Sequence, residues 1–138
     1  MILFVGQLIP IKGVDQLLTA WKQFKSHCKE NCTLVYVGYG RLEQPLRDRI
    51  VNEKIQDVIL IGGIDYDSIA QYYKAADCFI LPTVEDNWSL VVPEAMACGL
   101  PVATTIYNGC HPELITKENG WVFDTYNEQS IIDTLQIL

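Results

Sequence analysis

Two acids eight residues apart, Asp86 and Glu94, bracket a short polar and apolar stretch that closes on Pro93, and Glu85 adjoins the first of them. Proline sits best in the first turn of a helix, where its missing N–H costs nothing. A helix opening there predicts unpaired amides at Leu90, Val91 and Val92. Free donors and the helix dipole together attract phosphate. Glu94, just inside the same helix, is placed to accept hydrogen bonds from a ribose diol. Acid, anion cradle and acid suit a nucleotide diphosphate carrying a sugar. Far upstream, Lys12 lies in Gly6-Gln7-Leu8-Ile9-Pro10-Ile11-Lys12-Gly13, directly after an apolar run. A lysine at the mouth of a parallel sheet holds a diphosphate as a point charge. A solvated lysine ahead of a helix is an equal reading of the same position.

Gly38-Tyr39-Gly40-Arg41-Leu42-Glu43 follows a second apolar run and opens a helical pattern. That is the context of dinucleotide recognition, but Glu43 stands at the third glycine position. Gly62 and Gly63 stand where an acid for the ribose of a nicotinamide cofactor belongs, so such a cofactor is not expected. His111 and Glu113 are expected in a loop, where surface polar residues are ordinary.

Alternating elements must position these groups. Short apolar runs occur at Ile2 to Val5, Thr33 to Val37, Val58 to Ile61, Cys78 to Leu81, Val102 to Thr105 and Trp121 to Phe123. Between the first two, Val14, Leu17, Leu18, Trp21, Phe24 and Cys28 recur at helical spacing. Arg41 to Lys54 reads as a second helix, with Leu42, Leu46, Arg49, Ile50 and Val51 on its inner side. Asp67 to Ala76, Glu94 to Cys98 with Gly99 as its C-cap, and Asn127 onward complete the helical set. Strands alternating with helices predict an α/β fold: a Rossmann-like, three-layer α/β/α domain on a parallel sheet. Continuous apolar runs predict strands buried on both faces. The loops at Gly6, Gly38, Gly62 and Pro82 follow strand ends and should converge on one side, where ligands of such sheets collect. The chain starts at a strand and stops inside a helix, which leads us to expect a piece of a longer protein.

Composition narrows the class. A length of 138 residues fits one domain, and a hydrophobic fraction of 49% supplies a core. The net charge of −7 argues against nucleic acid and against an anionic membrane surface. No apolar run approaches the ~20 residues of a membrane span, and the first residues do not read as a signal peptide. Five cysteines without framework spacing suggest reduced thiols and a cytoplasmic location. His27, Cys28 and Cys32 lack a second ligand pair, so no metal site is expected.

Gly6-x5-Lys12-Gly13, Val37-Gly38-Tyr39-Gly40, Ala76-Asp77-x2-Ile80-Leu81-Pro82 and Glu94-Ala95-Met96-Ala97-Cys98-Gly99-Leu100-Pro101-Val102 run in order along nearly the whole chain. Together they resemble the C-terminal half of GT-B retaining glycosyltransferases, glycosyltransferase family 4. The resemblance implies a domain over 1–138 that binds a nucleotide diphosphate sugar, needs no cofactor, and works with an N-terminal acceptor domain of the same protein. Peripheral contact with a membrane, which the charge of this chain argues against, could be supplied by that other half. Glu94 resembles the acid that binds the donor ribose. Asp86 stands for the first acid of the pair, which contacts the sugar, with Glu85 as its possible substitute. Lys12 resembles the phosphate lysine, and with Asp86 it would carry the chemistry. Gln7 stands where an arginine is usual, and Asn87-Trp88-Ser89 where Gly-Phe-Gly is common. Gly6, Gly38, Gly40, Ile64, Leu90 and Val91 complete the implied donor cleft. The implied activity is hexosyl transfer to a hydroxyl acceptor by the full-length protein. A nucleotide-sugar-binding module without catalysis and a GT-B epimerase are the other readings.

Overall fold

The computed structural model describes residues 1–138. Six strands form one parallel sheet: β1 (Ile2–Val5), β2 (Leu34–Val37), β3 (Val58–Gly62), β4 (Cys78–Leu81), β5 (Val102–Thr105) and β6 (Gly120–Phe123). Their order is β3-β2-β1-β4-β5-β6. The helices are α1 (Val14–His27), α2 (Glu43–Asn52), α3 (Tyr66–Ala75), α4 (Val91–Ala97), α5 (His111–Leu114) and α6 (Glu128–Ile137), with a 3-10 turn at Pro10–Lys12. The result is the expected Rossmann-like α/β domain. The order of winding reverses between β1 and β4, which run parallel, so the crevice between their C-terminal ends is the natural ligand site.

Burial explains which segments formed as expected. β1, β2, β4 and β5 are buried at every position, as strands covered on both faces must be. β3 and β6 depart from that expectation. Each is an edge strand, and each turns apolar side chains outward: Ile59 and Ile61 on β3, Val122 on β6. On α1 the stripe Val14, Leu17, Leu18, Trp21 and Phe24 is buried as its spacing predicts. Trp21 also satisfies its indole N–H on the Gln56 carbonyl at 2.9 Å.

The second helix corrects the sequence reading. It starts at Glu43, because the Leu42 amide is drawn back to the Leu8 carbonyl at 2.9 Å. Leu46 is its buried residue, whereas Val51 is largely exposed. Arg49 lies between helices rather than in the core, meeting Asp15 of α1 at 2.6 Å and Glu53 at 2.8 Å. Lys22 adds a third contact to Glu53 at 3.0 Å. The arginine, followed by Lys22, holds the Glu53 carboxyl down at about 2. Its ionised form therefore contributes stability above the ordinary carboxylate value, and that contribution is lost as pH falls toward 2. Glu53→Gln is expected to flatten the loss of stability between roughly pH 5 and pH 2. Urea midpoints of both chains across that range check this; parallel curves would mean Glu53 carries no acid-sensitive stability.

α4 ends in a full Schellman arrangement. Gly99, at φ +83°, returns its amide to the Met96 carbonyl, and Leu100 returns its amide to the Ala95 carbonyl at 3.2 Å. Residues 111–114, expected as loop, form the short helix α5. All five cysteines are free thiols.

Candidate donor site at the carboxyl ends of the strands

The loops after β1 and β4 are tied together backbone to backbone. The Ile11 carbonyl accepts from the Val84 amide at 2.9 Å and from the Thr83 hydroxyl at 3.0 Å. Such closeness depends on Gly13. Its φ is +67°, and a Cβ there would lie 1.9 Å from the Pro82 carbonyl oxygen. The loop after β2 approaches as closely. A Cβ on Gly38 would lie 1.8 Å from the Gly6 oxygen, and one on Gly40 would lie 2.4 Å from the Leu8 oxygen. The Gly-x-Gly pair thus serves loop-to-loop packing, which a tight turn alone would not require.

This stitching sets Lys12 against Asp86. Lys12 Nζ and Asp86 Oδ2 are 2.5 Å apart, and both side chains are mostly sheltered from solvent. Asp86 is fixed further by its own backbone. Its amide donates to the Tyr107 carbonyl and its carbonyl accepts from the Gly109 amide at 2.7 Å. Its second carboxylate oxygen caps the Trp88 amide at 3.1 Å. Burial works to raise the Asp86 carboxyl, but Lys12, then Ser89 and the Trp88 amide, outweigh it and hold the group below the usual value. The Ser89 hydroxyl lies near this carboxylate without meeting it in hydrogen-bonding geometry. It is a buried side-chain oxygen with no partner.

The chain around α4 differs in one respect from expectation. The Val92 amide donates to the Ser89 carbonyl at 3.1 Å, so it is not free. The amides of Leu90 and Val91 make no hydrogen bond within the chain. Val91 is half-buried, and the Leu90 side chain stands in solvent. Glu85 and Asn87 are exposed, and Trp88 is partly so.

Glu94, in the first turn of α4, faces α3. Tyr73 donates to its Oε2 at 3.2 Å and Tyr66 to its Oε1 at 3.4 Å. Neither tyrosine was singled out from sequence. Tyr73 lies within the helical pattern at 67–76, and its partner lies 21 residues away across a strand.

A cleft of about 220 Å³ opens where the loops after β1, β2 and β3 meet, lined by Gly6, Gln7, Gly38, Tyr39, Ile64 and Ile69 among others; Lys12, Asp86 and Glu94 do not line it. Ile69 also lines a second hollow of about 230 Å³ that contains Tyr66, Tyr73 and Glu94. Gln7 is exposed and puts no charge into the first. His111 and Glu113 lie on α5, after β5, and line neither hollow.

The sequence model described as glycosyl transferases group 1 matches residues 1–138. The chain belongs to this family. A relative in Methanocaldococcus jannaschii, an uncharacterised glycosyltransferase, is 32% identical over 125 residues, which is 89% of this chain and 32% of the relative. The GDP-mannose-dependent monoacylated α-(1-6)-phosphatidylinositol monomannoside mannosyltransferase of Corynebacterium glutamicum is 32% identical over 126 residues, or 86% of this chain and 32% of that protein. This chain thus spans about a third of the length of these relatives. Among solved structures, the sucrose-phosphate synthase of Thermosynechococcus elongatus superposes with a TM-score of 0.84 at 25% identity, over 99% of this chain and 35% of that one. The C-terminal domain of a group 1 transferase of Francisella tularensis gives 0.85 at 24% identity, over 99% of this chain and 74% of that one. Anabaena HepE, crystallised with UDP and glucose, shares the fold with a TM-score of 0.83 at 22% identity, over 99% of this chain and 37% of that one. No helix of this group 1 domain is long and apolar enough to cross a membrane.

Proposed function

We propose that this chain is the donor-binding half of a retaining glycosyltransferase. The whole protein would move a hexose from a nucleotide diphosphate sugar to a hydroxyl acceptor held by a separate N-terminal half. One observation carries the reading. Lys12 and Asp86, from the loops after β1 and β4, meet at the crevice where strand order reverses. Ligands of doubly wound sheets bind at such a crevice. A relative whose name specifies GDP-mannose supports the donor class.

Each group has a role in that chemistry. When the bond from the anomeric carbon to the diphosphate breaks, negative charge grows on the departing oxygen. Lys12 stabilises that charge from a fixed position, helped by the free Leu90 and Val91 amides. Asp86, released from Lys12 as the diphosphate arrives, turns to the sugar hydroxyls. Glu94 takes the ribose diol. Gly6, Gln7, Gly38, Gly40 and Ile64 wall the nucleoside end, while Glu85, Asn87, Trp88 and Ser89 border the sugar. Because Lys12 supplies the positive charge at the diphosphate, the scheme assigns no step to a metal ion.

The test is calorimetric titration with UDP, GDP and ADP at low and high salt. At least one should bind, more weakly as salt rises. Gln7→Arg is expected to tighten that binding by roughly three- to tenfold at low salt. It adds a planar cation able to meet phosphate oxygens in pairs beside Lys12. Failure of all three nucleotides to bind would sink the donor-site reading. Binding that Gln7→Arg leaves unchanged would remove Gln7 from the diphosphate path.

A further inference from the structure

Glu94 is more constrained than a surface acid needs to be. Both of its oxygens accept from tyrosine hydroxyls, and the two tyrosines differ in kind. Tyr66 opens α3 and is 74% exposed, so its ring is free to swing away. Tyr73 is 3% exposed, and its ring packs against Phe79 of β4 with centroids 5.8 Å apart. The hydroxyl of Tyr73 is therefore fixed to the sheet itself. Burial, and then the neighbouring Glu94 charge, push its ionisation far above the ordinary tyrosine value. It remains an O–H donor throughout the working pH range.

We propose that Tyr73 is a positioning residue that holds the Glu94 carboxylate to receive a vicinal diol, and so makes the site select ribose over deoxyribose. The proposal rests on the donor-site reading above. An ionised carboxylate offers about four acceptor positions. One donor from Tyr73 and one from Tyr66 leave one position on each oxygen. Two free positions on a fixed carboxylate match the two hydroxyls of a cis-diol. A carboxylate free to rotate would pay rotamer entropy on each binding event, and Tyr73 removes that cost in advance. Charge-assisted bonds of this kind are the strong ones, so their geometry matters to affinity.

The experiment compares a nucleoside diphosphate with its 2′,3′-dideoxy analogue by calorimetry. It uses whichever base binds best to the unaltered chain. That chain should prefer the ribonucleotide. Tyr73→Phe keeps the ring and its packing and removes only the hydroxyl. It should weaken ribonucleotide binding about five- to tenfold and leave the dideoxy analogue unaffected. Glu94→Gln should erase most of the preference, and adding Tyr73→Phe to it should change little more, because the two act as one unit. A variant that weakens both ligands equally would show Tyr73 to be merely structural. Ribose preference undiminished in Tyr73→Phe would overturn the positioning role while leaving the donor-site reading intact. An unaltered chain that binds both ligands equally would remove the diol from Glu94, and this proposal with it.

Discussion

Lys12→Ala is expected to weaken nucleoside diphosphate binding roughly a hundredfold at neutral pH, about 2.7 kcal/mol. Two losses combine. The diphosphate loses its one cationic partner in the crevice, and such charge-assisted contacts are each worth about 1.5–3 kcal/mol. Asp86 also loses the ammonium that lies 2.5 Å from its Oδ2, so a sheltered carboxylate is left facing an incoming anion. The second effect has a pH signature. Lys12 is the main influence lowering the Asp86 carboxyl against burial. Without it, the carboxyl protonates at higher pH than in the unaltered chain. Acidification should therefore recover part of the affinity of Lys12→Ala but not of the unaltered chain. Lys12→Ala combined with Asp86→Asn should recover a similar part at neutral pH. Titrations at pH 7.5 and pH 5 would measure this. Affinity within a factor of two of the unaltered chain would take Lys12 out of the binding site.

Gly13→Ala is expected to cost about 3–5 kcal/mol, a melting temperature lower by roughly 10–15 °C. A residue other than glycine at φ +67° costs about 1–2 kcal/mol by itself. The larger part is crowding. The new methyl would press into the Pro82 carbonyl, which also accepts from the Thr125 hydroxyl at 3.0 Å. Relief requires the end of β4 to move, and that pulls on the Ile11 contacts which bring Lys12 to Asp86. Gly99→Ala separates the two causes. Gly99 has φ +83° but no atom within 4 Å of its would-be Cβ, so only the backbone term applies. Its cost should stay near 1 kcal/mol. Equal losses at the two positions in thermal melts would show that crowding at Pro82 is not the cause.

Much of the fold was legible in the sequence because burial leaves a direct signature. Three of the four inner strands are unbroken apolar runs, the fourth (β5) ends in two buried threonines, and the α1 stripe names the residues that the core takes up. The edges were less legible: Ile59, Ile61 and Val122 look like core residues until the neighbour on their far side proves absent. The turn at Pro10–Lys12 and helix α5 span three and four residues, too few for a period to show. At the candidate site, residue types along the chain single out Lys12, Asp86 and Glu94 as candidates. Their pairing was not legible. Nothing local to Lys12 announces a partner 74 residues on, and nothing local to Tyr73 announces Glu94. Those contacts follow from sheet order, which brings the ends of β1 and β4 side by side.

The stitch at the Ile11 carbonyl also bears on how the molecule comes into being. It joins groups 72 residues apart, and every strand pairing beside it is parallel. Closing so long a loop has an entropic cost that local helices do not carry, so contacts of this range slow folding. Helices such as α1 can gain structure from neighbours in sequence, whereas the crevice exists only once β4 has docked beside β1. The shape of the crevice thus belongs to the long-range contacts of the sheet and not to its local helices.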